Sequence, residues 1–358
     1  MTARPVRAGI LGCGMVADEY ATTLNTNASV HLTACADLNH EQALAFAARH
    51  DCAALPVDTL LNPQSVDLLV ILTPPRTHAE LAEQAITARI PAVWVEKPVT
   101  TDPRAATALI AQAAKAGTLL GVAPDTLLGP ALETAAAALR DGLIGDVRSA
   151  AATLLSTGPE RWHPSPAVFY AQHAGPLGDM GPYYLSALDF LLGPLQVSAA
   201  TARRRAERRI RSGPHAGQAF SADAPTYVAA LLETGDSVPV TLTASFDAAA
   251  THTPHLEIHG TKGTLVLPDP NFHDGEILHR PYGSREASAL PQTVIGLPSS
   301  RGAGVLDLAE ALREERAPLC TAERAARTVH LTHAILHAAS PSLPAQPPRQ
   351  DTAPTTSH

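Results

Sequence analysis

Residues 6–20 read VRAGILGCGMVADEY, and the fold turns on them. The apolar run ending at Leu11 predicts a short strand, Gly12-Cys13-Gly14 a tight turn, and the residues from Ala17 onward a helix. The spacing is G-x-G-x-x-A between strand and helix. Gly12 permits the turn, Gly14 lets the backbone approach a pyrophosphate, and Ala17 lets helix and strand pack closely. The helix N terminus then offers N–H groups and the positive end of a dipole to an anion. Ordinary strand–helix turns also carry this pattern, so the context decides. Here a second apolar stretch, 30–36, ends in Asp37, twenty residues beyond Ala17. A carboxylate there accepts hydrogen bonds from the adenosine ribose and repels a 2′-phosphate. The reading is dinucleotide binding, with NAD favoured over NADP.

The composition narrows the class. A chain of 358 residues suggests two domains of ordinary size. Hydrophobic residues are 45% and aromatics only 4%, so the core is mostly Ala, Leu and Val. The net charge of −8, with no dominant basic face, argues against nucleic acid as a partner. No window approaches the roughly 20 apolar residues of a membrane span. The first strand starts too early for a signal-peptide core. Cys13, Cys35, Cys52 and Cys320 show no C-x-x-C spacing, which fits reduced thiols in the cytoplasm.

Residues 1–123 alternate strand and helix. Beyond the opening unit the pattern predicts helix 40–50, strand 66–72, helix 77–89 and strand 92–95. Thr101-Asp102-Pro103 then starts a helix, and strand 119–122 follows. That order calls for a doubly wound parallel sheet, a Rossmann domain, whose ligand crevice lies outside the carboxyl ends of the strands. Gly12, Gly14, Asp37, Thr73, Pro74, Glu96 and Lys97 all fall at such ends. From 124 to 339 the pattern changes. Helix 130–141 and strand 147–156 precede a loop bearing Arg161, Trp162, His163, Phe169, Tyr170 and His173. Helix 177–192 and strands 197–203, 226–233, 238–246, 256–260 and 264–267 come next. Helices 305–313 and 322–338 end the pattern. This reads as an α+β domain with an open, mostly antiparallel sheet and helices on one face. The Pro-, Ser- and Thr-rich tail, 340–358, is expected to be disordered.

Three groups of residues could carry chemistry. Lys97, at a strand end, can hold a substrate hydroxyl and a ribose hydroxyl and relay a proton; it can equally be a surface lysine in a turn. Asp179 and Tyr183 share a face if their segment is helical. Their alternative roles are a helix cap and a core phenol. The loop residues Trp162, His163 and Tyr170 can shape a substrate pocket. Two further patterns read as structural. Residues 203–211 hold six arginines and suit the wet face of a strand and loop. His255 and His259 would lie about 13 Å apart on one strand face, too far to share a metal with His252. No metal is expected.

Together these stretches resemble the glucose–fructose oxidoreductase / inositol dehydrogenase / MocA (Gfo/Idh/MocA) family. The matching segments are Gly12 to Ala17, Ala36-Asp37, Thr73-Pro74-Pro75-Arg76-Thr77-His78, Glu96-Lys97-Pro98, Asp179-Met180-Gly181-Pro182-Tyr183 and LEIHGTKGTLVLPDP at 256–270. The resemblance implies an NAD(P)-dependent oxidoreductase acting on a ring hydroxyl or ketone of a sugar, cyclitol or sugar derivative. It implies a homo-oligomer, dimer or tetramer, formed through the open sheet. Gly12, Gly14, Met15 and Val16 would line the pyrophosphate turn, and Asp37 with Leu38 would flank the adenosine ribose. Thr73, Pro74 and His78 would contact the dinucleotide. Glu96 and Lys97 would reach the nicotinamide ribose, with Lys97–Pro98 as a cis peptide and Asp179 beside the substrate. Two departures stand out. Tyr183 replaces the family's common histidine, and its phenol needs a cation such as Lys97 to become a useful base; His163 is the alternative imidazole. Ala123-Pro124-Asp125-Thr126 replaces an Asn-Arg-rich segment that touches substrate in relatives. Rival functions are an enzyme that recycles bound NAD during elimination or glycoside cleavage, and a dinucleotide-sensing regulator.

Overall fold

Strand β1 (Val6–Leu11) pairs in parallel with β2 (Val30–Ala36) on one side and β4 (Leu68–Ile71) on the other. This is the centre of the first sheet in the computed structural model, which describes residues 4–292 and 296–340. Adding β3 (Ala53–Ala54), β5 (Ala92–Val95) and β6 (Leu119–Val122) gives the order β3-β2-β1-β4-β5-β6, all parallel. The chain order reverses at β1 and opens a crevice above it. Every residue of β4 and β5 is buried, which is why these runs are continuously apolar rather than alternating.

Helices α1 (Ala17–Asn25), α2 (His40–His50), α3 (Val57–Leu60), α4 (His78–Thr87) and α5 (Pro103–Ala116) cover the sheet. Their ends follow local chemistry. The Asn39 side chain accepts the N–H groups of Glu41 and Gln42 at the start of α2. Asp102 caps α5, Pro103 fills its first turn, and Gly117 ends it at φ 71°.

The second sheet has eight strands. They are β7 (Val147–Leu155), β8 (Leu195–Arg203), β11 (Tyr227–Thr234), β12 (Pro239–Ser245), β13 (Leu256–Gly260), β14 (Gly263–Leu267), β15 (Leu278–Pro281) and β16 (Ser288–Ala289). Their order is β16-β15-β14-β13-β7-β12-β11-β8, and only β7 and β12 pair in parallel. Helices α6 (Pro130–Arg140) and α7 (Gly181–Leu192) pack their apolar sides on it with α9 (Ala322–Ala339).

Two features differ from the sequence expectation. Helix α8 (Ala303–Glu314) does not pack on the second sheet; it lies against β5 and β6, with Val305, Leu306 and Leu308 in the core around Trp94. The segment after it adds to the edge of the first sheet, where Val122 N–H donates to Cys320 C=O. The apolar stripe of a helix states how wide its buried face is, not which partner covers it. The arginine-rich stretch forms a ribbon of β9 (Glu207–Arg209) and β10 (Ala219–Ser221). Arg208, expected in solvent, is buried. Of the tail expected to be disordered, 340–358, Ser340 ends α9 as its C-cap, and residues 341–358 lie outside the described residues.

Candidate active site

At the turn after β1, Gly12 sits at φ +99°, and a Cβ there would lie 2.8 Å from the Leu72 carbonyl carbon and the Thr73 nitrogen. Only glycine satisfies both the backbone angle and the close approach of β1 to the end of β4. Gly14 is different: a Cβ there would meet nothing within 4 Å, because it faces the open cleft. Ala17 is fully buried, and no side chain caps the N terminus of α1. The Asp37 carboxylate closes the turn, accepting from Cys13 N–H at 2.9 Å and Asn39 N–H at 2.8 Å. Met15 and Leu38, 76% and 96% exposed, project as apolar lips near it. The turn therefore fits a dinucleotide: an uncapped helix end, a glycine with free space above it, and a carboxylate just past the end of β2 in the same cleft.

A single cleft of about 990 Å³, at the upper end of the usual range for ligand sites, of about 300–1,000 Å³, runs from this turn to the second domain. It brings together Gly12, Gly14, Met15, Val16, Asp37, Leu38, Thr73, Pro74, His78, Glu96, Lys97, Trp162, His163 and Tyr183. His78 lines it, but its ring is spent on structure. The two nitrogens meet Thr73 C=O at 2.6 Å and Pro98 C=O at 2.8 Å, tying the ends of β4 and β5 together.

At the far end of the cleft, Glu96 accepts from Tyr20 O–H at 2.8 Å and from Lys97 N–H at 2.8 Å. Lys97–Pro98 is cis, and so is Ala123–Pro124. The Lys97 ammonium donates to the Asp179 carbonyl at 2.7 Å and to Asp179 Oδ1 at 3.0 Å. Asp179 does not cap α7; it lies in a single π-helical turn, Pro176–Met180, ahead of it. Gly178 within that turn sits so close to His173 C=O that a Cβ would be 1.9 Å from it. Both the carbonyl and the carboxylate of Asp179 thereby face Lys97. Burial opposes the Lys97 charge, yet Asp179, Tyr183 and Glu96 outweigh it and hold the ammonium pKa above normal. Lys97 is thus a fixed cation and donor, not a base.

Tyr183 lies under two cations. Lys97 Nζ is 4.9 Å from its ring centroid and Arg301 Cζ is 5.4 Å away. Sequence reasoning gave Lys97 the task of lowering the phenol pKa. The structure gives the opposite balance, because burial, with Glu96 and Asp179, raises that pKa by more than Lys97 and Arg301 lower it. Tyr183 is a neutral phenol, a proton donor.

Trp162, His163 and Phe169 form an aromatic group on the cleft wall. Ring centroids are 5.7 Å apart for Trp162–Phe169 and 4.7 Å for His163–Phe169. Tyr170 is not part of the wall. It is fully buried, donates to Glu160 at 2.9 Å and accepts from Arg208 at 2.8 Å. Arg208 also binds Glu160 at 2.7 Å and pairs with Asp247. This buried group fastens the aromatic loop to the second sheet. Arg208→Met leaves two carboxylates without their partner, and is expected to cost about 3–5 kcal/mol in urea unfolding.

Two residues at the site escaped sequence reasoning. Arg301 precedes α8 and lines the cleft. Asp125, in the segment that departs from the family pattern, is fully buried and does not face the cleft. Its Oδ2 accepts Gly302 N–H at 2.7 Å and Gly304 N–H at 3.3 Å, which anchors the start of α8. An Arg-Gly pair just ahead of an amphipathic helix was the one legible signal. His255 and His259 serve structure: His255 bonds Tyr184 O–H at 2.7 Å and His259 meets Thr264 Oγ1 at 3.2 Å. Among the described residues, no group of three or more His, Cys, Asp or Glu is placed to hold a metal ion. No helix among them is long and apolar enough to cross a membrane.

A family model described as "Oxidoreductase family, NAD-binding Rossmann fold" matches residues 6–123, and the "GFO/IDH/MocA C-terminal domain" matches residues 132–266. The chain belongs to the Gfo/Idh/MocA family of oxidoreductases. Within this family it is 29% identical over 263 residues to inositol 2-dehydrogenase of Rhizobium meliloti (strain 1021), covering 73% of this chain and 75% of that one. It is 31% identical over 287 residues to dTDP-3,4-didehydro-2,6-dideoxy-alpha-D-glucose 3-reductase of Streptomyces antibioticus, covering 75% and 85%. A crystal structure of a 3-ketoreductase from Actinomadura kijaniata with NADP and TDP-benzene superposes with a TM-score of 0.75 at 26% identity, covering 93% and 98%. The Gfo/Idh/MocA enzymes are NAD(P)-dependent, and this chain carries their nucleotide-binding domain.

Proposed function

We propose that this Gfo/Idh/MocA protein transfers a hydride between NAD and a secondary hydroxyl or ketone of a sugar, cyclitol or sugar derivative. One observation carries the reading: Lys97 and Tyr183 line the same cleft as the Gly12 turn and Asp37, and Asp179, outside that lining, holds the Lys97 ammonium. The bound nicotinamide supplies or takes the hydride. The chain does the rest. Lys97, held by Asp179, donates to the reacting oxygen and fixes its position. The Tyr183 O–H gives that oxygen a proton in reduction, and in oxidation its phenolate takes the proton back. Trp162, His163 and Phe169 cover the substrate side and exclude water.

The neutral phenol sets the pH dependence. Burial holds the Tyr183 pKa above the usual value near 10. Reduction is therefore expected to keep its proton donor across the neutral range, while oxidation rises with pH. Rates in both directions against pH check this.

The cofactor choice rests on Asp37, whose carboxylate after β2 would repel a 2′-phosphate on the adenosine ribose. Asp37→Asn keeps an acceptor for Cys13 N–H and removes the charge. It should lower the NAD-over-NADP affinity ratio by about tenfold, the size of one charged hydrogen bond, as read by calorimetry. The substrate class is tested with inositols, hexoses and nucleotide-linked keto sugars against NADH and NADPH. Hydride transfer to none of them, or no uptake of either coenzyme, overturns the reading. The same family reading makes the outward face of the second sheet, with half-exposed Leu231 on β11, the contact of a dimer or tetramer. The free thiols of Cys13, Cys35, Cys52 and Cys320 fit a cytoplasmic enzyme.

A further inference from the structure

We propose that Arg301 is a positioning residue for the proton donor. Its guanidinium, held over the Tyr183 ring, stabilises the phenolate left when the phenol gives up its proton. The inference rests on the assignment of Tyr183 to proton transfer above.

The geometry is built from three segments far apart in the chain. Asp125 accepts the N–H groups of Gly302 and Gly304, and so fixes the backbone that leads out of Arg301. Gly302 takes φ +102°, and a Cβ there would be 3.0 Å from the Thr23 Cβ. The turn therefore lies tight against α1. The guanidinium then has two outer tethers: Nη2 donates to Asn271 Oδ1 at 3.1 Å, and Nε stands 3.7 Å from Glu19 Oε2. Its inner face meets the Tyr183 ring at 5.4 Å. The side chain is only 19% exposed, so its charge acts through protein rather than through water.

Proton balance shows why a second cation matters. In reduction the Tyr183 O–H bond breaks, the proton passes to the substrate oxygen as hydride reaches the carbonyl carbon, and the electron pair stays on the phenolic oxygen. A buried phenolate is costly. Lys97 is divided: its ammonium is spent on Asp179 and on the substrate oxygen. Arg301 has no such second task at the reacting centre. The groups facing Tyr183 are Glu96 and Lys97 from the end of β5, Asp179 from the π turn, and Arg301 from the start of α8. Burial opposes the Arg301 charge, yet Tyr183, Glu96, Tyr20 and Asp125 together hold it charged.

The test is a titration of the coenzyme-free chain, followed by tyrosinate ultraviolet difference absorption. Subtracting the Tyr183→Phe trace isolates one phenol among the six tyrosines. Arg301→Met should raise the Tyr183 titration by about one pH unit, the lower end of what a close opposite charge does. Arg301→Lys should restore most of the shift. The kcat for reduction should fall at least about tenfold in the Met variant with coenzyme Kd unchanged, and recover in part in the Lys variant. An unmoved Tyr183 titration in Arg301→Met, in a chain whose circular dichroism matches wild type, overturns the proposal. So does a Lys variant that behaves like Met. Because the titration needs no substrate, its failure is separable from failure of the proposed reaction.

Discussion

Lys97→Ala is expected to lower turnover by about a thousandfold, within the range for losing a positioned donor, while coenzyme still binds. The asymmetry follows from where its ammonium points. Lys97 Nζ is held by Asp179 at 2.7 and 3.0 Å and stands over the Tyr183 ring. The Gly12 turn and Asp37, to which we assign the pyrophosphate and ribose, are other parts of the cleft lining. Removing the amine leaves the Asp179 carboxylate without its cation and Tyr183 with one cation fewer, so both partners lose their setting. Stopped-flow measurement of hydride transfer, run beside fluorescence titration of coenzyme, separates the two effects. Turnover within tenfold of wild type removes Lys97 from the mechanism. Loss of coenzyme binding in step with turnover assigns it to the nucleotide instead.

Gly12→Ala and Gly14→Val should separate fold from ligand. At Gly12 a side chain must adopt φ +99° and press on backbone atoms at 2.8 Å. Strain of that kind costs about 1–3 kcal/mol from the angle alone, and the clash with β4 adds to it because strand backbone cannot move aside as a flexible side chain does. The thermal midpoint should fall by about 5–10 °C, and coenzyme binding should fall with it. Gly14 carries no such strain and opens on the cleft. Gly14→Val should melt within a degree or two of wild type, yet lose coenzyme affinity by about a hundredfold, because its methyl groups occupy the path of the pyrophosphate. Equal melting points for both variants would contradict the assigned role of Gly12. Unchanged affinity in Gly14→Val would move the pyrophosphate elsewhere.

Much of the site was legible because it is assembled from strand ends. Once 6–11, 30–36, 68–71, 92–95 and 119–122 are strands joined by helices, handedness and parallel pairing place their carboxyl ends along one edge. Gly12, Asp37, Thr73 and Lys97 then meet without knowledge of any side-chain contact. Asp179 and Tyr183 were legible as chemistry but not as geometry. Their segment read as one regular helix, whereas a π turn sets Asp179 toward Lys97. Tyr170 and Arg208 were misplaced for a shared reason. An aromatic in a polar loop reads as a pocket wall and an arginine in a basic run as solvated, and only the opposing carboxylates of Glu160 and Asp247 make their burial favourable.

The sequence by itself determined the doubly wound sheet, the glycine turn after its first strand, the carboxylate after its second and the lysine at the strand end. These depend on residue periodicity, on turn chemistry and on chain order, all of which are local. The tertiary structure alone decided that α8 returns to the first sheet, that Asp125 caps it, that Arg301 lies over Tyr183, and that Tyr183 stays protonated. Each of these depends on which distant segments exclude water from one another, and desolvation is a property of packed neighbours that no run of residues carries alone.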